Sequence, residues 1–187
     1  MTVTVEKYST VGKSIHRIDA LEKVTGRATY GDDMRFPDLL HGKVLRSPHA
    51  HAKITRIDLS EARDLPGVKA VVVGKDAPFR GGEAIRDQPF LAVDKVRYVG
   101  EAVAAVAAET EEIAERAIEL IKVEYELLPA VFDAVEAIHS GAPLVHEELH
   151  TYPHMPIVKP VPNTNICAKF EFIQGDVEKG FGQADYV

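Results

Sequence analysis

The stretch VRYVGEAVAAVAAETEEIAERAIELIKVEYEL, Val96 to Leu127, decides the fold. Small and β-branched apolar residues on either side of Gly100 read as a pair of strands, because such side chains suit a pleated, half-buried surface. Thr110 then stands where a helix start needs an oxygen for a free N–H, and Glu111 and Glu112 follow at the positive helix end. Ile113, Ala117, Leu120 and Ile121 recur at helical spacing and make one apolar stripe. Immediately after, Val123, Tyr125 and Leu127 alternate with charged neighbours, as a strand with one wet face does. This is an α/β passage. We expect its strands to share one sheet, with the stripe packed on Val103 and Val123.

Towards the N-terminus, His41 to Leu59 reads as two short strands broken at Pro48, since proline punctuates a sheet. Ser60 is the expected cap of a brief helix that Pro66 and Gly67 terminate, and Val68 to Gly74 follows as a buried strand. The fold class is therefore α/β, of the α+β kind, with helices packed on a mixed sheet. Lys75 to Pro89 shows no periodicity and is expected to be a surface loop. Its Gly81 and Gly82 are no phosphate cradle, because no Lys-Ser or Lys-Thr pair opens a helix behind them.

Towards the C-terminus, Asp133 can cap a short helix, Ala134 to His139, that Gly141 ends. Thr151 to Pro162 contains Pro153, Pro156, Pro160 and Pro162, which deny helix bonds and central sheet positions, so it reads as an exposed crossing segment. In NICAKFEFI, Ile166, Ala168, Phe170 and Phe172 alternate with Cys167, Lys169 and Glu171, predicting a strand with one buried face and Cys167 as a small buried residue on it. GDVEKGFGQADYV predicts a capped turn of helix and the beginning of a further strand.

Across 187 residues, 45% hydrophobic content is enough for one sizeable core or two small ones. A net charge of -7 without a basic stripe argues against nucleic-acid binding. MTVTVEKYST shows no cationic segment leading into an apolar run, and the longest small-apolar run, Ala102 to Ala108, is too short to span a bilayer. A soluble, cytoplasmic protein is the expectation. The single cysteine excludes an internal disulfide and an iron–sulfur cluster held by this chain alone.

HEELH, His146 to His150, fits the H-E-x-x-H zinc pattern, with His154 four residues further on. That chemistry requires a long packed helix to place both imidazoles on one side. Pro143 and Pro153 bracket the motif and leave room for about two turns, too few to stand without an apolar stripe. A solvated or capping segment is the favoured reading, with a zinc hydrolase as the lesser alternative. His49 and His51 could leave one face of a strand, but two ligands do not close a site, and His16 and His41 stand alone. Glu124 and Glu126 read as the wet side of a sheet rather than an acid/base pair.

Four stretches in order resemble the molybdenum-containing subunit of the xanthine dehydrogenase and aldehyde oxidase family, which includes carbon monoxide dehydrogenases. They are Arg17 to Asp33, Leu40 to Ile54, Val96 to Thr110 and Val123 to Asp133. The resemblance implies an α/β hammerhead domain over 16–140, after an N-terminal extension at 1–15. A His/Pro-rich connection would follow at 141–164, with the start of a molybdopterin-binding domain, cut short, at 165–187. It also implies that the His51 ring satisfies buried backbone groups, and that Gly26 and Gly100 sit where a side chain is unwelcome.

Such enzymes hydroxylate an electrophilic carbon or oxidise carbon monoxide at a molybdenum–molybdopterin centre, passing electrons through [2Fe–2S] clusters to FAD. The expected partners are thus the molybdopterin-binding domain of the same subunit and the iron–sulfur and FAD subunits or domains. Catalytic glutamate and pterin-holding segments would lie beyond residue 187, so no catalytic, cofactor-binding or metal residue is assigned here. The chain alone is expected to be inactive and to self-associate through an unpaired strand end. The rival reading is a freestanding structural or binding module with no redox role.

Overall fold

The computed structural model describes residues 8–186. The expectations for the first seven residues, and for a strand reaching Val187, lie outside them. The chain divides into two compact units, 1–39 and 40–187. Among the described residues no helix is long and apolar enough to cross a membrane. The first unit carries α1 (Ala20–Val24) and a 3-10 turn (Gly31–Asp33). Asp19 lies 2.6 Å from Arg17 and 2.6 Å from Lys23. Gly26 follows α1 with a φ of 71°.

The second unit runs β1 (His41–Arg46), β2 (Ala52–Asp58), α2 (Ser60–Asp64), β3 (Val68–Val73), β4 (Arg80–Gly81), β5 (Gln88–Pro89) and β6 (Lys95–Val96). It continues with β7 (Ala102–Ala108), α3 (Glu111–Leu120), β8 (Lys122–Leu127), α4 (Ala134–Ala137), a 3-10 turn (Leu149–Thr151) and α5 (Val177–Gln183). β7, α3 and β8 therefore stand where the small-apolar run, the helical stripe and the alternation put them. Thr110 accepts a hydrogen bond from the Ile113 N–H at 3.3 Å, and Asp133 accepts from Val135 and Glu136 at 2.7 and 2.9 Å. Asp176 does the same for α5, from Lys179 at 3.0 Å. At α2 the expected cap is displaced. Ser60 is the first helical residue, and Asp58 accepts from its N–H and its hydroxyl.

The expected single mixed sheet is replaced by two three-stranded sheets, ordered β1-β7-β3 and β6-β2-β8, with antiparallel pairing throughout. Both α/β passages change sheet. The link from Leu59 to Gly67 falls short of the roughly dozen residues that a parallel crossover needs. At the second passage β7 is already flanked by β1 and β3, so β8 finds no edge there and pairs with β2.

Packing follows the period of the strands. Ala104 and Val106 face α3, where Ala114 and Ala117 are buried and Ile121 closes the cluster with Ala62 and Val71. Val103, one residue out of phase, points to the other side and packs with Ala52, Ala92 and Val96. The sequence expectation that the α3 stripe packs on Val103 therefore fails, whereas Val123 does lie against that cluster. β3 is an edge strand with Val71 alone buried, not a strand buried throughout.

The stretch 75–89 is not a plain loop, because it folds into the β4–β5 hairpin and buries Ile85. The proline-rich segment is tied to that hairpin rather than free. Arg86 N–H donates to the Pro153 carbonyl and Met155 N–H to the Ala84 carbonyl, both at 2.9 Å. Ile85, Leu149 and Val158 form a third small core. The alternating segment Ile166 to Phe172 makes no strand, since no described strand pairs with it. Phe170 and Phe172 are accordingly exposed, and so is Cys167, against the expectation of burial.

Candidate functional site

The densest buried polar group is built by the turn between β6 and β7. Gly100 has a φ of 91°, a left-handed conformation costly for any residue with a Cβ, and this reverses the chain tightly. The turn is riveted to the end of β1. Gly100 N–H donates to the Ser47 carbonyl at 2.8 Å, Ser47 N–H to the Glu101 carbonyl at 2.9 Å, and Arg46 to the Gly100 carbonyl at 2.8 Å.

This geometry takes three charged side chains out of water. Glu101 is 2% exposed, and its carboxylate accepts from the Arg97 N–H. Burial pushes the Glu101 carboxyl up from the usual range, against the pull of that N–H and the Arg97 charge. Arg97 donates through Nε to the Val145 carbonyl and through Nη1 to the Lys95 carbonyl, each at 3.1 Å. Lys95 reaches Glu147 at 2.6 Å. Such burial is tolerable because each charge is hydrogen-bonded.

Arg97, Glu101 and Val145, with Gln88, Phe90, Tyr98 and His146, line a cleft of about 480 Å³. The His146 ring meets Tyr152 edge-on at 5.7 Å, and the Arg80 guanidinium lies 4.6 Å from the Tyr152 ring centre. His146 Nδ1 is buried without a hydrogen-bond partner. Desolvation, then the Arg97 charge, lowers the His146 pKa to about 4, so the ring is neutral near pH 7.

HEELH forms no helix. His150 lies in the 3-10 turn, and His154 Nδ1 donates to the Tyr152 carbonyl at 2.7 Å, so the three imidazoles are not held by helical spacing. Among the described residues no group of three or more His, Cys, Asp or Glu is placed to hold a metal ion. His49 packs edge-on against Tyr125 at 4.9 Å. His51 is 9% exposed and its Nδ1 donates to the Pro129 carbonyl at 2.6 Å, the backbone-satisfying role that the resemblance implied. Glu124 and Glu126 face outward, 3.5 Å from Arg56 and 3.7 Å from Lys53.

Sequence reasoning missed the grouping of Lys95, Arg97 and Glu101. Charges beside a strand ordinarily mark its wet face. The signal available was their crowding on either side of the glycine turn at Gly100, with Val96 and Tyr98 between them.

The family model described as aldehyde oxidase and xanthine dehydrogenase, a/b hammerhead domain, matches residues 25–129. The chain is 45% identical over 173 residues to a probable xanthine dehydrogenase subunit of Bacillus subtilis, covering 91% of this chain and 21% of that protein. It is 37% identical over 182 residues to the nicotinate dehydrogenase large molybdopterin subunit of Eubacterium barkeri, covering 96% of this chain and 39% of that one. Among solved structures, the reconstituted CO dehydrogenase from Oligotropha carboxidovorans superposes with a TM-score of 0.73 at 32% identity, over 82% of this chain and 20% of that one. The chain thus spans about a fifth of the first of these relatives and two fifths of the second. A two-sheet fold with sheet-changing helices, a matching family model and relatives at this identity together place the chain in the aldehyde oxidase and xanthine dehydrogenase family, as its α/β hammerhead domain.

Proposed function

We propose that this chain is the hammerhead portion of a molybdenum-dependent oxidoreductase subunit, a scaffold against which the cofactor-bearing domain packs. The observation that carries the reading is the match of residues 25–129 to the hammerhead model, beside a relative whose own name is large molybdopterin subunit. On this reading 16–140 is the hammerhead, 141–164 the connection and 165–187 the entry to the molybdopterin-binding domain. The exposed Phe170, Phe172 and Ile173 are then surface for that domain to cover.

The residues described do not fit a molybdenum–pterin group. Arg97 and Glu101 in the cleft, and Lys95 beside it, are already engaged by backbone carbonyls, by a backbone N–H and by Glu147, so they offer no free donor set. We therefore assign no catalytic, cofactor or metal residue here, and place the chemistry in the rest of a longer polypeptide. Electron transfer through [2Fe–2S] and FAD in partner subunits or domains, and a cytoplasmic location, belong to the same proposal.

Tagging the protein in its native host tests it. The tagged product should carry molybdenum and reduce a dye with an aldehyde, an N-heterocycle or carbon monoxide, while the isolated 187-residue chain should do neither. A tagged product free of molybdenum, or turnover by the isolated chain, overturns the reading.

A further inference from the structure

We propose that residues 143–158 form a proton-sensitive strap along the cleft, released when the His146 imidazole takes up a proton. The inference does not depend on the family reading.

The strap is held at separate points on either side of His146. The Val145 carbonyl accepts from Arg97, Glu147 holds Lys95, and further along Pro153 and Met155 pair with Arg86 and Ala84. Between these attachments the imidazole is pressed edge-on to Tyr152, with Nδ1 shut away from water and from any acceptor. A proton placed on that nitrogen would create a buried N–H donor and a positive charge together. The N–H has no acceptor in the closed arrangement.

The surrounding charges make this worse. From the β4–β5 hairpin come Arg80, across Tyr152, and Asp87. From β6 and its turn come Lys95, Arg97 and the buried Glu101. The strap itself supplies Glu147, already bound to Lys95, and His154, turned to the Tyr152 carbonyl. Arg80, Arg97 and Lys95 oppose a further cation, and Asp87 is the counter-charge that favours one. Lifting the strap lets water solvate the imidazolium and uncovers one wall of the cleft.

The sign follows from linkage. In the closed strap the ring titrates at about 4, whereas a solvated imidazole titrates near 6.5, so the open state binds the proton more readily. Closure is fully favoured above the solvated value and weakens as the pH falls from there towards the lower one.

Amide hydrogen exchange on the 187-residue chain reads this directly. Protection of the Arg86 and Met155 amides, expressed relative to an unstructured chain at the same pH, should fall by up to about tenfold per pH unit across that interval. Amides of β7 should keep theirs. In His146→Gln the dependence should vanish. Should that variant fail to fold, the His146 ring resonance gives a second readout: Arg80→Gln should raise its midpoint and Asp87→Asn should lower it. Unchanged protection of Arg86 and Met155 from pH 7 to pH 4, the same loss in His146→Gln, or midpoints moving the opposite way in the two charge variants would each overturn the proposal.

Discussion

The side-chain oxygen of Asn165 accepts a hydrogen bond from the Val145 N–H at 2.9 Å, across twenty residues of chain. Its amide nitrogen donates to the carbonyls of Ala137 and Pro143, at 3.0 and 2.9 Å. One amide thus satisfies three backbone groups that no sheet or helix serves. Asn165→Ala should cost about 1–3 kcal/mol, the penalty for leaving partly buried polar groups unpaired. Asn165→Asp should also lose stability, because it turns an acceptor towards two carbonyl oxygens. Denaturant titration of both variants checks this, and an Asp variant as stable as the parent would remove the clamp.

Val103 is fully buried, whereas Glu119 on the outer side of α3 is exposed. Val103→Ala should therefore cost about 2 kcal/mol through lost burial and the void left behind. Glu119→Ala should stay within about 0.5 kcal/mol of the parent. Leu120 is half-buried, so Leu120→Ala should fall between the two. Equal losses at Val103 and Glu119 would contradict the assignment of Val103 to the second core.

Glu101 gives a pH signature opposite to that of a salt-bridged carboxylate. Burial raises its folded pKa, so the stability linked to it is present below the unfolded pKa and is lost as pH rises through the folded one. Glu101→Gln keeps an acceptor for the Arg97 N–H and removes the titration. Its stability relative to the parent should thus be higher at pH 8 than at pH 4. A ratio flat with pH in paired melting curves would show that the carboxylate is better solvated than its burial suggests.

Limited digestion with proteinase K, which does not depend on Lys or Arg, should cut first around Lys169 to Ile173, exposed and outside every described strand and helix. The segment 151–162 should resist, since Pro153, Met155 and Val158 are held against the hairpin. Mass mapping of the first fragments decides between the two regions.

Metal analysis addresses the H-E-x-x-H motif. Because His146 is packed on Tyr152 and His150 lies in a 3-10 turn, purified protein should carry no stoichiometric zinc. Replacing both histidines with Ala should leave the metal content unchanged. Zinc near one per chain, lost in that variant, would contradict the geometry.

Much of the fold could be read along the chain because its signals are local. Thr110, the helical spacing of Ile113, Ala117 and Leu120, and the alternation of Val123 and Tyr125 each act within a few residues. Which strands pair is a different kind of information. The sheet change after β7 is forced by β1 and β3 occupying both its edges, a fact spread over residues 41–108. The segment from Ile166 to Phe172 shows the converse, a strand-like alternation left without a partner. The cleft was hidden for a third reason. Lys95, Arg97 and Glu101 look like solvated charges until Val145 and Glu147 arrive from about fifty residues away to pair with the two cations.

The interleaving of the two sheets also sets the order in which the molecule can be made. His41 pairs with Ala108 and Asp58 with Lys122, so β1 and β2 leave the ribosome well before their long partners exist. During synthesis neither sheet can assemble as an early module: one closes only when β7 is made and the other only when β8 is. Loops of this length make closure slow compared with a hairpin or helical bundle. Meanwhile the edges of β1 and β2 stand unpaired, so the nascent chain is most open to pairing with other chains before β7 and β8 emerge.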